Sequence, residues 1–441
     1  MFFTKKAHTL LRILSIGILL TYPVLVYATT VTDSSCTGEF GSGTNSDTQC
    51  TSEQVELDST GLTNGSGNFT SRIIDAGSSV TWSSLAWTPN YPYLKNLPNS
   101  AGAESAYTNG NANMSNNLLL WHLDEASGNF TDSSGNSHTG TATGATAGGT
   151  GILNNAVTFD GNDYVTASND SDLARVGDFT VSAWIKDTSG NYTITAGIAG
   201  KIQLLSSPSR YYGYSLSKSG GWLQFYTGNS TGAFVVSDAQ SLDANWHFVV
   251  GVISSGTNYL YVDGVLQSGS ASTIYTDQGS FTIGKNFSNT NNFYWIGNID
   301  EVSVWNRALS GTEILNMYKR GALRLKYQVR SCDDNACSGE TFAGPDGTGS
   351  SYYSELTTST DALPSKTLTN VSDNEYFQYK AFFETSSTTL TPELLDVTIT
   401  HSAPTLGVPE FSDALYIVTI LFGLYYLIRF SSQFPIHPSN T

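Results

Sequence analysis

Two pairs of adjacent carboxylates, Asp124-Glu125 and Asp300-Glu301, are the residues best suited to chemistry. Glycoside hydrolysis needs two carboxyl groups converging on one bond, the first as acid or base and the second as nucleophile or base. On a strand, residues two apart share a face and neighbours point to opposite faces. Both pairs are therefore expected to diverge, and no E-x-D-x-E run exists. There is no H-E-x-x-H and no G-x-x-x-x-G-K-[ST] loop. His122 and His247 sit between apolar neighbours in strand-like runs and read as sheet-packing or surface residues. These observations predict a protein that is not an enzyme.

Sugar recognition needs an aromatic platform beside amide and hydroxyl groups. Tyr211, Tyr212, Tyr214, Trp222 and Tyr226 cluster within sixteen residues, and Asn292, Tyr294 and Trp295 form a second polar-aromatic patch. These eight are the candidate carbohydrate-binding residues. For any one of them a core or cross-strand role competes.

The elements that must hold these residues are strands. The runs VTFDGNDYV, FTVSAWIK, NWHFVVGVIS, TNYLYVDGVLQSG and FTIGKN alternate apolar and polar side chains between Gly, Asn, Asp or Ser. That is the pattern of half-buried antiparallel strands, and many of them in series predict a two-sheet sandwich. Trp246, Phe248, Val250 and Val252 fall on one face. Asp263-Gly264 is a tight hairpin turn, because both residues tolerate positive φ. One helix is expected after Leu309. Ser310 and Glu313 form its capping box, Ile314, Met317 and Tyr318 its apolar face, and Gly321 its stop, and it packs across the sandwich edge.

The ordered motifs W-x-L-D-E, D-S-S-G-N, F-D-G-N-D-Y-V, F-T-V-S-A-W-I, W-H-F-V-V, L-Y-V-D-G, F-T-I-G and I-D-E-V-S-V-W-N-R-A-L-S span residues 116–320. In that order they resemble the laminin-G-like, concanavalin A-like jelly-roll family, a fold that hosts lectins, adhesion modules and glycosidases. Some members hold Ca²⁺ through loop oxygens. By that analogy Asp124, Asp132, Asn136, Asp160, Asp163 and Asp300 are candidate calcium ligands, six to eight oxygens being required. Asp132 and Asp160 are equally natural turn residues that cap local N–H groups.

The flanks, residues 29–99 and 322–402, are each too small for a comfortable core but together approach a usual domain. Their phrases SRIIDAG before and YQVRSCDD, GPDGT and YFQYKAFFET after resemble a single bacterial surface β-sandwich interrupted by an insertion. The fold class expected is all-β: a laminin-G-like jelly roll inserted into a second, discontinuous β-sandwich, with residues 100–115 as a linker. Three small domains in series is the alternative.

Of 441 residues only 13% are charged, and the formal charge is −17. Such a chain repels nucleic acid and anionic lipid. Lys5, Lys6 and Arg12 precede an apolar stretch ending in Val26-Tyr27-Ala28, the pattern of a signal peptide over residues 1–28, with an uncleaved anchor as the alternative. Four cysteines in an exported protein read as disulfides, and local pairing, Cys36 with Cys50 and Cys332 with Cys337, is the simplest of the three connectivities. Residues 403–410 form a linker. Residues 411–428 are apolar enough for a transmembrane helix before a short tail at 429–441. Val408-Pro409-Glu410-Phe411 resembles the Pro-Glu motif of exosortase- and archaeosortase-type sorting signals, although only Arg429 follows where that family has a basic cluster. The expected protein is a membrane-anchored surface protein of a bacterium or archaeon, exported with its ectodomain outside, that recognises a glycan or a surface protein. A structural surface-layer protein and a glycosidase are the rival readings.

Overall fold

Alternation decides the central architecture, because each strand buries every second side chain against the opposite sheet. The computed structural model describes residues 28–403 apart from 101, 169, 207–208, 230–231, 276–278, 288–292 and 357–360. Two antiparallel sheets pack face to face in its centre. The first runs Thr146–Thr150, Asn155–Asp160, Ile296–Trp305, Phe179–Asp187, Trp246–Ser254, Thr257–Val262, Val265–Ala271, with Asn117–Trp121 added beside Ile296–Trp305. The second runs Gly232–Ser241, Trp222–Asn229, Ser209–Ser219, Ala196–Ser206, Thr282–Ile283, Tyr164–Ala167, Gly140–Thr143. Leu119, Val181, Phe225, Ile299 and Val304 interlock between them without exposure. This is an all-β jelly-roll sandwich. Asp263 and Gly264 take φ of 52° and 78° and set Val262 opposite Val265, as the turn residues require.

The eight-stranded sheet is also covered on its outer side. Phe248, Val250 and Val252 turn there, with Trp246 packed beside them, and the helix Gly311–Ala322 lies over them. Its capping box is present: the Ser310 hydroxyl accepts from the Glu313 N–H (3.3 Å), and the Glu313 carboxylate accepts from the Ser310 N–H (2.9 Å). Two expectations for this helix change. It crosses the face of the sheet rather than its edge, with Tyr318 stacked on Trp184 at 5.6 Å. Gly321 is no stop. It lies inside the helix, where a Cβ would come within 2.8 Å of the Trp184 ring, and the chain passes directly into the strand Leu323–Cys332.

The flanking segments interleave. Ala28–Asp33 and Trp82–Pro89 both pair with Leu394–Ser402, and Ile74 stands opposite Phe377. Phe69 and Trp87 from before the central unit share a core with Tyr327 and Tyr379 from after it, the Trp87 and Tyr327 rings lying 4.6 Å apart. Cys36–Cys50 and Cys332–Cys337 are disulfides.

The expected linker 100–115 is not an exposed tether. Tyr107 and Met114 are buried, and Leu94, Leu97 and Met114 join the helix in covering the eight-stranded sheet. A buried polar network pins this strap. Lys95 Nζ donates to the Tyr107 hydroxyl (2.7 Å), which donates to Glu355 (2.5 Å), while Glu104 pairs with Lys95 (3.6 Å) and with Arg320. Residues 1–27, all but the last residue of the expected leader, lie outside the described residues, as do the expected span 411–428 and Val408, Pro409, Glu410 and Phe411. Among the described residues no helix is long and apolar enough to cross a membrane.

Burial pushes the Glu355 carboxyl up to about 7, against opposing contributions from the Tyr107 hydrogen bond and the Lys95 and Arg320 charges. The unfolded chain releases this proton near the ordinary glutamate value, so the group's contribution to stability is present at acid pH and falls as pH rises toward 7. Melting temperature followed from pH 4.5 to 7.5 is expected to show a smaller decline in Glu355→Gln than in the parent. Equal slopes would show that Glu355 does not hold its proton in the fold.

Candidate functional site

The expected divergence of Asp300 and Glu301 does not occur, and the reason is a bulge. Ser182 pairs with Ser303 and Trp184 with Asp300, so the strand Ile296–Trp305 carries one extra residue there. Glu301 takes φ of 48° to accommodate it. Ile299 and Val302 both enter the inter-sheet core, which leaves Asp300 and Glu301 together on the outer side. They are 0% and 4% exposed. Asp300 accepts from the N–H groups of Ile152 (2.9 Å), Leu153 (3.2 Å) and Glu301 (2.9 Å). Glu301 pairs with His122 Nδ1 at 2.7 Å, and His122 Nε2 meets Asn99 at 2.9 Å. Burial, then the neighbouring Glu301 charge, raises the Asp300 pKa well above its ordinary value. Burial also raises Glu301, while His122 opposes it. Burial disfavours the imidazolium of His122, but the Glu301 carboxylate outweighs it and the net shift is upward. The cluster braces the 151–154 turn and the strap beneath a closed surface.

The six candidate calcium ligands do not form one shell. Asp124 accepts from Asn96 (2.8 Å), Asn154 (3.1 Å) and the Asn155 N–H (3.2 Å). Asp132 accepts from the N–H groups of Leu120 (3.1 Å), Ser134 (3.0 Å) and His138 (2.9 Å). Asn136 donates to the Leu118 carbonyl (2.9 Å), and Asp163 accepts from the Asp160 N–H (2.9 Å). These oxygens face hydrogen-bond donors, which is the capping chemistry of turn residues. Among the described residues no group of three or more His, Cys, Asp or Glu could hold a metal ion. The expected calcium set therefore does not fit the cation.

Strand alternation splits the first aromatic cluster. Tyr214 and Leu216 enter the inter-sheet core, and the Tyr214 hydroxyl donates to the Leu173 carbonyl at 2.9 Å. Tyr212 shares that inward phase at the sandwich end, with its ring 6.4 Å from Tyr275. Tyr211 takes the outward phase. On the next strand Leu223 and Phe225 point in, so Trp222, Gln224 and Tyr226 point out. Trp295 is fully buried in the core, with Lys218 Nζ 5.1 Å from its ring. Tyr294 lies 6.4 Å from Tyr164, with Lys285 over both rings. Asn292 lies outside the described residues. Tyr214 and Trp295 are thereby corrected from binding candidates to core residues, and Tyr212 does not join the outward row.

What the outer face of the seven-stranded sheet does present is a series of rings. Tyr226 meets Tyr211 edge-on at 5.3 Å, Tyr211 meets Phe287 at 5.9 Å, and Phe287 meets Phe293 at 5.9 Å. Burial, with the hydrogen bond to Tyr211, raises the Tyr226 hydroxyl pKa. Trp222 continues the row along its strand and is 42% exposed, and Phe293 is 38% exposed at the other end. Beneath them the paired positions are small: Gly213 opposite Gly228, Ser215 opposite Tyr226 and Gly200, Ser217 opposite Gln224. Phe287 and Phe293 escaped the sequence reading. Phe293 precedes the Tyr294-Trp295 patch by one residue, and a correct phase would have selected it.

Residues 159–315 match the family model of the concanavalin A-like lectin/glucanases superfamily. A search of curated proteins finds no match. Among solved structures, domain 4 of an extracellular arabinanase from Geobacillus stearothermophilus, seen with arabinotriose, is similar at 19% identity and a TM-score of 0.35, over 46% of this chain and 98% of that one. A Trypanosoma rangeli sialidase is similar at 16% identity and 0.37, over 46% and 32%. The binding domain of Paraclostridial Mosquitocidal Protein 1 is similar at 14% and 0.37, over 50% and 61%.

Asp300→Ala is expected to leave three buried N–H groups without an acceptor and to lower unfolding free energy by about 3 kcal/mol. Asp300→Asn retains an accepting oxygen and is expected to cost less. Urea midpoints at constant slope measure both, and an unchanged Asp300→Ala midpoint would remove the bracing role.

Proposed function

We propose, from the concanavalin A-like match of the central sandwich, that this protein is a non-catalytic recognition protein that binds a glycan on the outer face of its seven-stranded sheet. The observation that carries the reading is the series Trp222, Tyr226, Tyr211 and Phe293, the last two joined through the buried Phe287, on a face floored by Gly and Ser. Aromatic faces take the apolar sides of sugars, and amides and hydroxyls meet their edges. Asp300 and Glu301 are engaged within the fold under the strap, which supports a binding role. The flanking sandwich, whose two disulfides suit an oxidising compartment, displays the central one at the cell surface. Residues 1–28 direct export, and 411–428 anchor the chain with the sandwiches outside.

A glycan array probed with the purified full chain tests this. Binding is expected to persist in EDTA, to fall at least tenfold in Trp222→Ala and Tyr226→Ala, and to survive in Tyr212→Ala. Retention of binding in both first variants would overturn the assignment of the face. Silence from folded protein would favour a structural surface role.

A hydrolase is the second reading, supported by the bulge that sets Asp300 and Glu301 on one face. It requires release of reducing ends from a bound polysaccharide, abolished in Glu301→Gln. Binding without product is the expected result.

A further inference from the structure

We infer that the ligand of this face is an uncharged, linear glycan held along its length rather than by a charged terminal sugar; this rests on the glycan-binding reading above. Two features of the face point there, its charge and its shape.

The described outward positions of three adjacent strands are uncharged. On the strands Ala196–Ser206, Ser209–Ser219 and Trp222–Asn229, the outward positions carry Gly, Ser, Gln and aromatic or aliphatic residues. The cations of these strands lie elsewhere. Lys201 is 3% exposed and paired with Asp170 at 3.0 Å, and Lys218 is fully buried against Asp187. Arg210 falls in the inward phase at the sandwich end, two residues before Tyr212. Lys285, beside the row, is 5% exposed and lies over the Tyr164 and Tyr294 rings. A carboxylate or sulfate on a sugar would meet no exposed cation among these described outward positions. The chain as a whole, at −17, would repel it. A cationic sugar would likewise find no carboxylate among these outward positions.

The face is also long in one direction. Trp222 and Tyr226 are four residues apart on one strand, about 13 Å at the usual rise. Tyr211 on the neighbouring strand, then Phe287 and Phe293 in the loop after Thr282–Ile283, continue the ring contacts at 5.9 Å steps, with Phe287 itself only 7% exposed. A platform of this extent meets several sugar rings in succession. A single terminal sugar would use one ring and leave the others idle.

Calorimetric titration of the full chain with cellohexaose, xylohexaose, mannohexaose and hexagalacturonate, and with the disaccharide of each, tests the inference. At least one neutral hexasaccharide is expected to bind at least tenfold more tightly than its disaccharide, with an affinity unchanged between 0.05 and 0.5 M salt. Phe293→Ala is expected to weaken the hexasaccharide more than the disaccharide. Preference for hexagalacturonate, a strong salt dependence, or equal affinity for two and six sugars overturns this inference and leaves glycan binding standing. No binding to any of the eight by folded protein overturns both.

Discussion

The central strands of the eight-stranded sheet are buried on both faces, and the rest of the molecule is arranged around that constraint. One face meets the seven-stranded sheet through Val181, Ile299 and Val304. The other meets the helix and the strap through Trp184, Phe248 and Trp305. A strand buried on both sides must be apolar at nearly every position, and Phe179–Asp187 has only Lys186 short of full burial. Of the two central sheets, the seven-stranded one then keeps its outer face open among the described residues.

Burying both faces also encloses charge, and the pairs that follow hold it. Lys218 and Asp187 pair across the inter-sheet core with no exposure at either side chain, and Ser189 donates its N–H to the same carboxylate at 2.8 Å. Glu104 sits between Lys95 and Arg320 where the two sandwiches meet. Pairs of this kind repay their desolvation only with good geometry, and deleting one partner costs more than the pair contributes. Their effect is directional. Lys218 fixes the register of its strand against the opposite sheet, and Arg320 fixes the helix against the strap. The Asp300 and Glu301 cluster belongs to the same class, holding the 151–154 turn and His122.

Much of this was legible locally. Period-two alternation placed Phe248, Val250 and Val252 on one face, Asp263-Gly264 announced its turn, and Ser310 with Glu313 announced the helix start. The aromatic cluster at 211–226 was legible as a cluster but not as a surface. Its members alternate between core and exterior, so Tyr214 and Tyr211 have opposite fates three residues apart. The carboxylate pair was misread because a bulge shifts phase by one residue. A bulge arises where a strand must bend against two neighbours, which a single strand's pattern does not record.

Local chemistry alone determined the strands, the hairpin turn, the helix cap and the local cysteine pairs, because each depends on residues close in sequence. The family resemblance of the central segment rests on the same short motifs in order. Tertiary structure decided which aromatic side chains stay outside and which carboxylates are sealed. It also decided that Phe287 and Phe293 join Tyr211, whose sequence neighbours they are not. The physical reason is that exposure belongs to the second layer of packing. A strand specifies that one of its faces is buried, but whether the other is covered depends on distant segments, here the helix and the strap.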